Sequence, residues 1–149
     1  MKIHDRISAI LNQKGSDVWS IPPDASVYSA IETMADKHVG ALLVIEDGHL
    51  VGIVSERDYA RKVVLMGRSS SDTFVREIMT PSPKTVCLEC SVDDAMRTMT
   101  SNRIRHLPVV DNDKVVGVMS IGDIIKYIIA SQDKAIEQLE HYITGQYPC

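Results

Sequence analysis

Apolar residues recur every third or fourth position at Val27, Ala30, Ile31 and Met34, and again at Val92, Ala95, Met96 and Met99. That spacing lines one face of a helix, so the pattern predicts two amphipathic helices. Ser26 and Ser91 stand just ahead of them as N-caps, the second with Asp94 three residues on. The period then changes: Ala41-Leu42-Leu43-Val44-Ile45 and Leu107-Pro108-Val109-Val110 are short, largely β-branched runs that predict buried strands. Turn residues follow, Glu46-Asp47-Gly48 and Asp111-Asn112-Asp113, and Leu50 to Val54 and Val115 to Met119 return as the second strand of a hairpin. Asp58 to Leu65 and Asp123 to Ala130 predict a second helix in each half. A short extended segment precedes each first helix, Val18 to Pro22 and Lys84 to Leu88. The expected fold is α+β, two repeated β-α-β-β-α units.

The two halves are copies. Ser26-Val27 falls on Ser91-Val92 at an offset of 91 − 26 = 65 residues. Without a gap, Ala30/Ala95, Thr33/Thr98, Met34/Met99, Leu42/Leu107, Val44/Val109, Val51/Val116, Gly52/Gly117, Ser55/Ser120 and Asp58/Asp123 keep step. A fixed period decides architecture before any local assignment. Copies this short are marginal alone and are expected to stack on a shared core. The expected division is a first repeat at 16–66, a linker at 67–83, a second repeat at 84–130, and a C-terminal helix and tail at 131–149.

Outside the repeats, Ile3, Ile7, Ile10 and Leu11 form an N-terminal apolar stripe, and Ile136, Leu139, Tyr142 and Ile143 a C-terminal one. Two readings stand for each stripe: it docks on its own repeat, or it joins a second subunit.

Composition narrows the function. A net charge of −4 makes phosphate-tracking nucleic-acid binding an unsuitable reading. No apolar run approaches the roughly 18–20 residues of a membrane helix. Three cysteines, an odd number, argue against a disulfide framework and for a reducing compartment. Met1-Lys2 is followed by His4, Asp5 and Arg6 rather than an apolar signal segment, so the expected location is the cytoplasm.

Candidate chemistry lies at the hairpin ends, Gly52-Ile53-Val54-Ser55-Glu56-Arg57-Asp58 and Gly117-Val118-Met119-Ser120-Ile121-Gly122-Asp123. Both read Gly-apolar-apolar-Ser-x-x-Asp. A strand entering a helix at Ser leaves backbone N–H groups that suit a phosphate, and a carboxylate three residues on can accept from vicinal ribose hydroxyls. The plainer reading is an N-cap Ser with an Asp favouring the helix dipole.

These ends, with Arg105-His106-Leu107-Pro108-Val109-Val110 and with Ile78-Met79-Thr80 ahead of the second copy, resemble cystathionine β-synthase (CBS) domains. Two such domains pack as a pseudo-twofold pair, the Bateman module, and the resemblance covers roughly residues 16–130. The stretch from Ser55 to Lys62 and the tail from Leu139 to Gly145 resemble the small stand-alone tandem type, here with short N- and C-terminal helices. The resemblance implies a non-catalytic module that senses adenosine-containing ligands, AMP, ADP, ATP, NAD(H) or S-adenosylmethionine, in two clefts between the repeats. No cofactor is required. It implies Ser55 and Asp58 in one cleft, completed by Ile104, Arg105 and His106, and Ser120 and Asp123 in the other, completed by Val39, Gly40 and Ala41. Arg57 and Arg105 would put the phosphate end at Asp58. Gly122, Gly40 and Ala41 leave the other cleft roomier and less charged, for a neutral moiety, the far end of a dinucleotide, or nothing.

Remaining residues carry weaker signals. Cys87 and Cys90 have CxxC spacing without a second pair, so a buried or incidental role is favoured over a redox one, and Cys149 is a terminal thiol. The histidines at 4, 38, 49, 106 and 141 share no metal-ligand spacing. Tyr59, Tyr127 and Tyr142 read as packing residues. Trp19 either lines the Asp123 cleft or docks a subunit. No nucleophile with a base, carboxylate pair or metal site is arranged by the motifs, so no catalysis is expected. The expected partners are an adenine nucleotide, a second copy in a homodimer and an unidentified enzyme. The rival reading is an interaction or dimerisation module with no nucleotide.

Overall fold

The computed structural model describes residues 4–144, and side chains only as far as residue 141. The readings for Ile3, Cys149 and the side chains of Tyr142 and Ile143 lie outside the described residues. In the first repeat, β1 (Ser20–Ile21), β2 (Ala41–Glu46), β3 (His49–Ser55) and β4 (Thr80–Pro81) form a sheet in that order. β1 runs parallel to β2, while the β2–β3 and β3–β4 pairs are antiparallel. Helix α2 (Val27–Lys37) joins β1 to β2. The second repeat places α5 (Val92–Asn102) ahead of the hairpin β5 (His106–Asp111) and β6 (Lys114–Ser120).

The repetition extends to fine geometry. Both hairpins turn on two residues with positive φ, Asp47-Gly48 and Asn112-Asp113, as tight two-residue loops require. Register shifts fall at Val44/Ile45 and at the equivalent Val109/Val110. Both first helices end on a left-handed residue, His38 and Arg103.

The differences have local causes. The extended lead-in of the second repeat keeps a single bridge, Val86 to Val109, in place of a strand. In the first repeat Leu43 N–H donates to Trp19 O at 3.1 Å, but the residue matching Leu43 is Pro108, which has no N–H to give. After the Ser-x-x-Asp ends, the first repeat forms α3 (Glu56–Tyr59) and a π-helical turn (Ala60–Val64) that stops at Gly67, φ +66. The matching residue is Gln132, and there the second repeat continues unbroken as the 24-residue α6 (Ile121–Thr144). The expected separate C-terminal helix is therefore the end of α6.

Two hydrophobic clusters form rather than one shared core. The first gathers Ile21, Val27, Ala30, Met34, Leu42, Val44, Val54 and Val63 with Val75 and Ile78 of α4 (Val75–Ile78). The second gathers Val86, Val92, Ala95, Met99, Leu107, Val109, Met119 and Ile124 with Ile7, Ile10 and Leu11 of α1 (Ile7–Lys14). The N-terminal stripe thus docks neither on its own repeat nor on another subunit, but on the opposite repeat of the same chain. The exchange is reciprocal, because α4, which precedes the second repeat, docks on the first. Equivalent bonds hold both helices: Val27 N–H to Thr73 O and Val92 N–H to Asp5 O, both 2.8 Å, and Val75 N–H to Ala25 O and Ile7 N–H to Cys90 O, both 2.9 Å.

Candidate functional site

Ser55 and Asp58 are placed by the strand-to-helix junction at the end of β3. The Ser55 hydroxyl accepts from Asp58 N–H at 3.2 Å, and Asp58 Oδ2 accepts from Ser55 N–H at 2.9 Å, a capping box. The plainer reading of these residues as a helix cap is therefore realised in the geometry, and it engages one carboxylate oxygen. The other, Oδ1, lies 3.3 Å from Lys62 Nζ, which also donates to Ile78 O at 2.9 Å.

A cavity of about 580 Å³ opens over this junction and spans both repeats. Ser55, Arg57 and Asp58 line it from the first repeat, and Ile104, Arg105 and His106 from the second. Gly40, expected in the other cleft, instead lines this one: the His106 ring sits against it, with Cε1 3.6 Å from where a Cβ on Gly40 would be. Arg57 Nη1 donates to Arg103 O at 3.4 Å, linking the two repeats across the floor. Burial holds the His106 imidazole below its usual 6.5, opposed by the Asp123 charge and aided by Lys14 and Arg105.

Arg61, Lys84 and Arg103 add three cations to the wall that motif reasoning did not single out. Arg61 stands one helical turn beyond Asp58, and that spacing could have indicated it. Arg103 directly precedes Ile104. Lys84 and the Thr80–Pro81 strand reach the site through the pairing of β4 with β3, which leaves no local pattern.

Asp123 repeats the cap, with Ser120 N–H donating to Asp123 Oδ2 at 2.8 Å and Asp123 N–H to Ser120 Oγ at 3.1 Å. Its surroundings differ from those of Asp58. Lys14 Nζ of α1 lies 2.7 Å from Asp123 Oδ2 and donates to Val118 O at 2.7 Å. Burial pushes the Asp123 carboxyl up, but hydrogen bonds from Lys14 and Ser120 outweigh it and hold the group below the usual carboxylate range. A smaller cavity, about 270 Å³, lies between α1 and α6 among Ile10, Gln13, Lys14, Asp123, Lys126 and Tyr127, with no residue of the first repeat in its lining. Val39, Gly40, Ala41, Ser120, Gly122 and Trp19 are not among the residues lining it. Trp19 instead lies under the Lys37 ammonium, 4.4 Å from the ring centroid.

Cys87 and Cys90 are joined by a disulfide, contrary to the expectation from the odd cysteine count. Residue parity cannot see a local pair. The bond closes the turn whose Leu88 and Cys90 carbonyls accept from Ser8 and Ile7 of α1. The matching turn of the first repeat begins Pro22-Pro23, so the two copies stiffen one turn by different means. Tyr59 and Tyr127 pack against the first and second clusters. Among the described residues, no group of three or more histidines, cysteines or acidic residues is disposed to hold a metal ion, and no helix is long and apolar enough to cross a membrane.

The CBS domain family model matches residues 9–65 and 75–130. The mitochondrial CBS domain-containing protein CBSX3 of Arabidopsis thaliana is 40% identical over 95% of this chain and 73% of its own length. A putative signal-transduction protein with CBS domains from Burkholderia ambifaria superposes with a TM-score of 0.84 at 46% identity, covering 86% of this chain and 96% of that one. The CBS domain pair of protein MJ0100, solved in complex with 5′-methylthioadenosine and S-adenosyl-L-methionine, has a TM-score of 0.76 over 85% of this chain and 98% of its own; at 24% identity it shares the fold.

Proposed function

Because the chain belongs to the CBS-domain family, whose paired domains are regulatory modules, we propose that it senses an adenine nucleotide in the cleft at Asp58. The observation that carries this reading is the makeup of the 580 Å³ cavity: two carboxylates, Asp58 and Glu56, against five cations, Arg57, Arg61, Lys84, Arg103 and Arg105. Asp58 would accept from ribose hydroxyls through Oδ1 after displacing Lys62, while the guanidinium groups fork onto phosphate oxygens. Ser55 positions Asp58, and Ile104 and His106 supply the wall from the opposite repeat. AMP, ADP, ATP and NAD(H) all fit this chemistry; the excess of cations over carboxylates favours a phosphorylated nucleoside over a neutral one. The role is regulatory and non-catalytic, with the nucleotide as ligand and no cofactor required.

A ligand held by both repeats binds one relative arrangement of them better than another and so shifts that equilibrium. The output would pass to a second copy in a homodimer or to a separate enzyme, in the cytoplasm. A second reading, an interaction module, is favoured by the exposure of Ile125, Ile129, Ile136 and Leu139 along α6. Thermal unfolding against AMP, ADP, ATP, NAD and S-adenosylmethionine separates the two. A ligand at 100 times its Kd stabilises by about 2.7 kcal/mol, several degrees for a chain of this size. No shift with any of the five would leave the interaction reading.

A further inference from the structure

Asp58 and Asp123 are equivalent carboxylates with different cations. Lys62, which faces Asp58, lies four residues on in the π-helical turn that continues α3, whereas the cation on Asp123 comes from 109 residues away, on α1. The cause is a difference in helix length. Helices α1 and α4 begin at equivalent places, Ile7 and Val75, but α1 runs for eight residues and α4 for four. In the first repeat the chain leaves the helix after Ile78 and runs extended as Thr80–Pro81 beside β3, which leaves the cleft open. In the second repeat the extra helical turn carries Lys14 onto Asp123 and the Val118 carbonyl.

We propose that Lys14 is a tethered occupant of the second cleft: its ammonium sits on the carboxylate that would otherwise take ribose hydroxyls, so a second nucleotide binds only by displacing it. The proposal rests on the nucleotide reading of the Asp58 cleft. Displacement needs only a side-chain swing, since Ile7, Ile10 and Leu11, which anchor α1, are 0%, 2% and 6% exposed and stay in place. The Lys14 and Asp123 side chains keep 31% and 20% of their exposure, and a partly exposed ion pair is weak enough for a ligand to break. The module therefore favours single occupancy, with the second cleft filling at higher nucleotide concentration.

The test is AMP titration of the full chain by native mass spectrometry, which counts bound AMP and yields a Kd for each site. Lys14→Ala and Lys14→Met, the latter keeping the packing of the stem, are each expected to tighten the second-site Kd by roughly two- to fivefold. The first-site Kd is expected to stay unchanged. Asp58→Ala combined with Lys14→Ala is expected to retain one AMP. A second site unaffected or weakened by both Lys14 variants, or no AMP at the Asp123 cleft of any protein, overturns the proposal. An AMP that binds only when Lys14 is removed, with no loss from Asp58→Ala, supports the proposal and instead refutes the reading of the Asp58 cleft.

Discussion

Leu11 lies over Gly117 so closely that a Cβ on that glycine would fall 2.8 Å from Leu11 Cδ2, just as Met79 lies over Gly52 at 2.5 Å from its Sδ. The two glycines are equivalent, and each is the seat on which the helix preceding the other repeat is docked. Their substitutions should differ in cost. At Gly117 the obstacle is the flexible end of a leucine, whereas at Gly52 the Thr80 carbonyl also stands at 3.0 Å and the backbone cannot yield as easily. Gly52→Ala is expected to destabilise by roughly 1–3 kcal/mol and Gly117→Ala by less, about 1 kcal/mol. Urea denaturation of both variants checks the order.

Removing charge from the open cleft should weaken AMP binding selectively. Hydrogen bonds to charged groups contribute about 1.5–3 kcal/mol, so Arg105→Ala and Arg61→Ala are each expected to cost roughly ten- to a hundredfold in AMP affinity. Asp58→Ala should lose affinity for AMP, whereas Asp123→Ala should leave the first-site Kd unchanged. Isothermal titration calorimetry measures all four; equal losses from the two aspartate variants would contradict the asymmetry of the clefts.

The depressed imidazole of His106 makes stability pH-dependent. Burial lowers its folded pKa beneath 6.5, so below pH 6.5 the unfolded chain takes up the proton first and the folded state loses stability as pH falls through the folded value. Stability from urea titrations should be level above about pH 7 and decline below 6.5. His106→Asn should flatten that decline, and an NMR titration of the ring should place its pKa under the usual histidine value. Asp123, also depressed, adds its own loss as pH falls below its ordinary value of 3.8 toward its folded value.

Reducing the Cys87–Cys90 disulfide should loosen the seat of α1. Closing a loop this short contributes about 2 kcal/mol at most. Dithiothreitol, or Cys87→Ser with Cys90→Ser, is expected to lower unfolding stability by roughly 1–2 kcal/mol and to speed hydrogen exchange at the Ile7 and Ser8 amides, which bond to this turn. Exchange at Val75 and Arg76, their counterparts on the proline-stiffened turn, should not change.

The 65-residue offset made both hairpins, both capped helices and the equivalence of Asp58 and Asp123 legible, because identical side chains kept step without gaps. The kinship of α1 and α4 was hidden. Their matching residues, Ile7/Val75, Ile10/Ile78 and Leu11/Met79, are 78 − 10 = 68 apart, share one identity, and sit in helices of different length. An amphipathic stripe announces that a face is buried but carries no record of what buries it, so the crossing of α1 to the far repeat was not readable. The cleft suffers the same limit: Arg57, Asp58 and Arg105 belong to motifs, while Lys84 arrives through a strand pairing and Lys14 through a helix docked over a hundred residues away.

Because α1 completes the second cluster and α4 the first, the unit that is repeated in the sequence is not the unit that folds. A cut in the polar stretch around residues 67–72, the natural place to split the repeats, would strip Val75 and Ile78 from one half and strand Ile7, Ile10 and Leu11 on the wrong piece. An autonomous second half would have to be spliced from residues 4–14 and 84–144. The chain is laced rather than beaded: each half is completed by a helix that stands ahead of the other in the sequence.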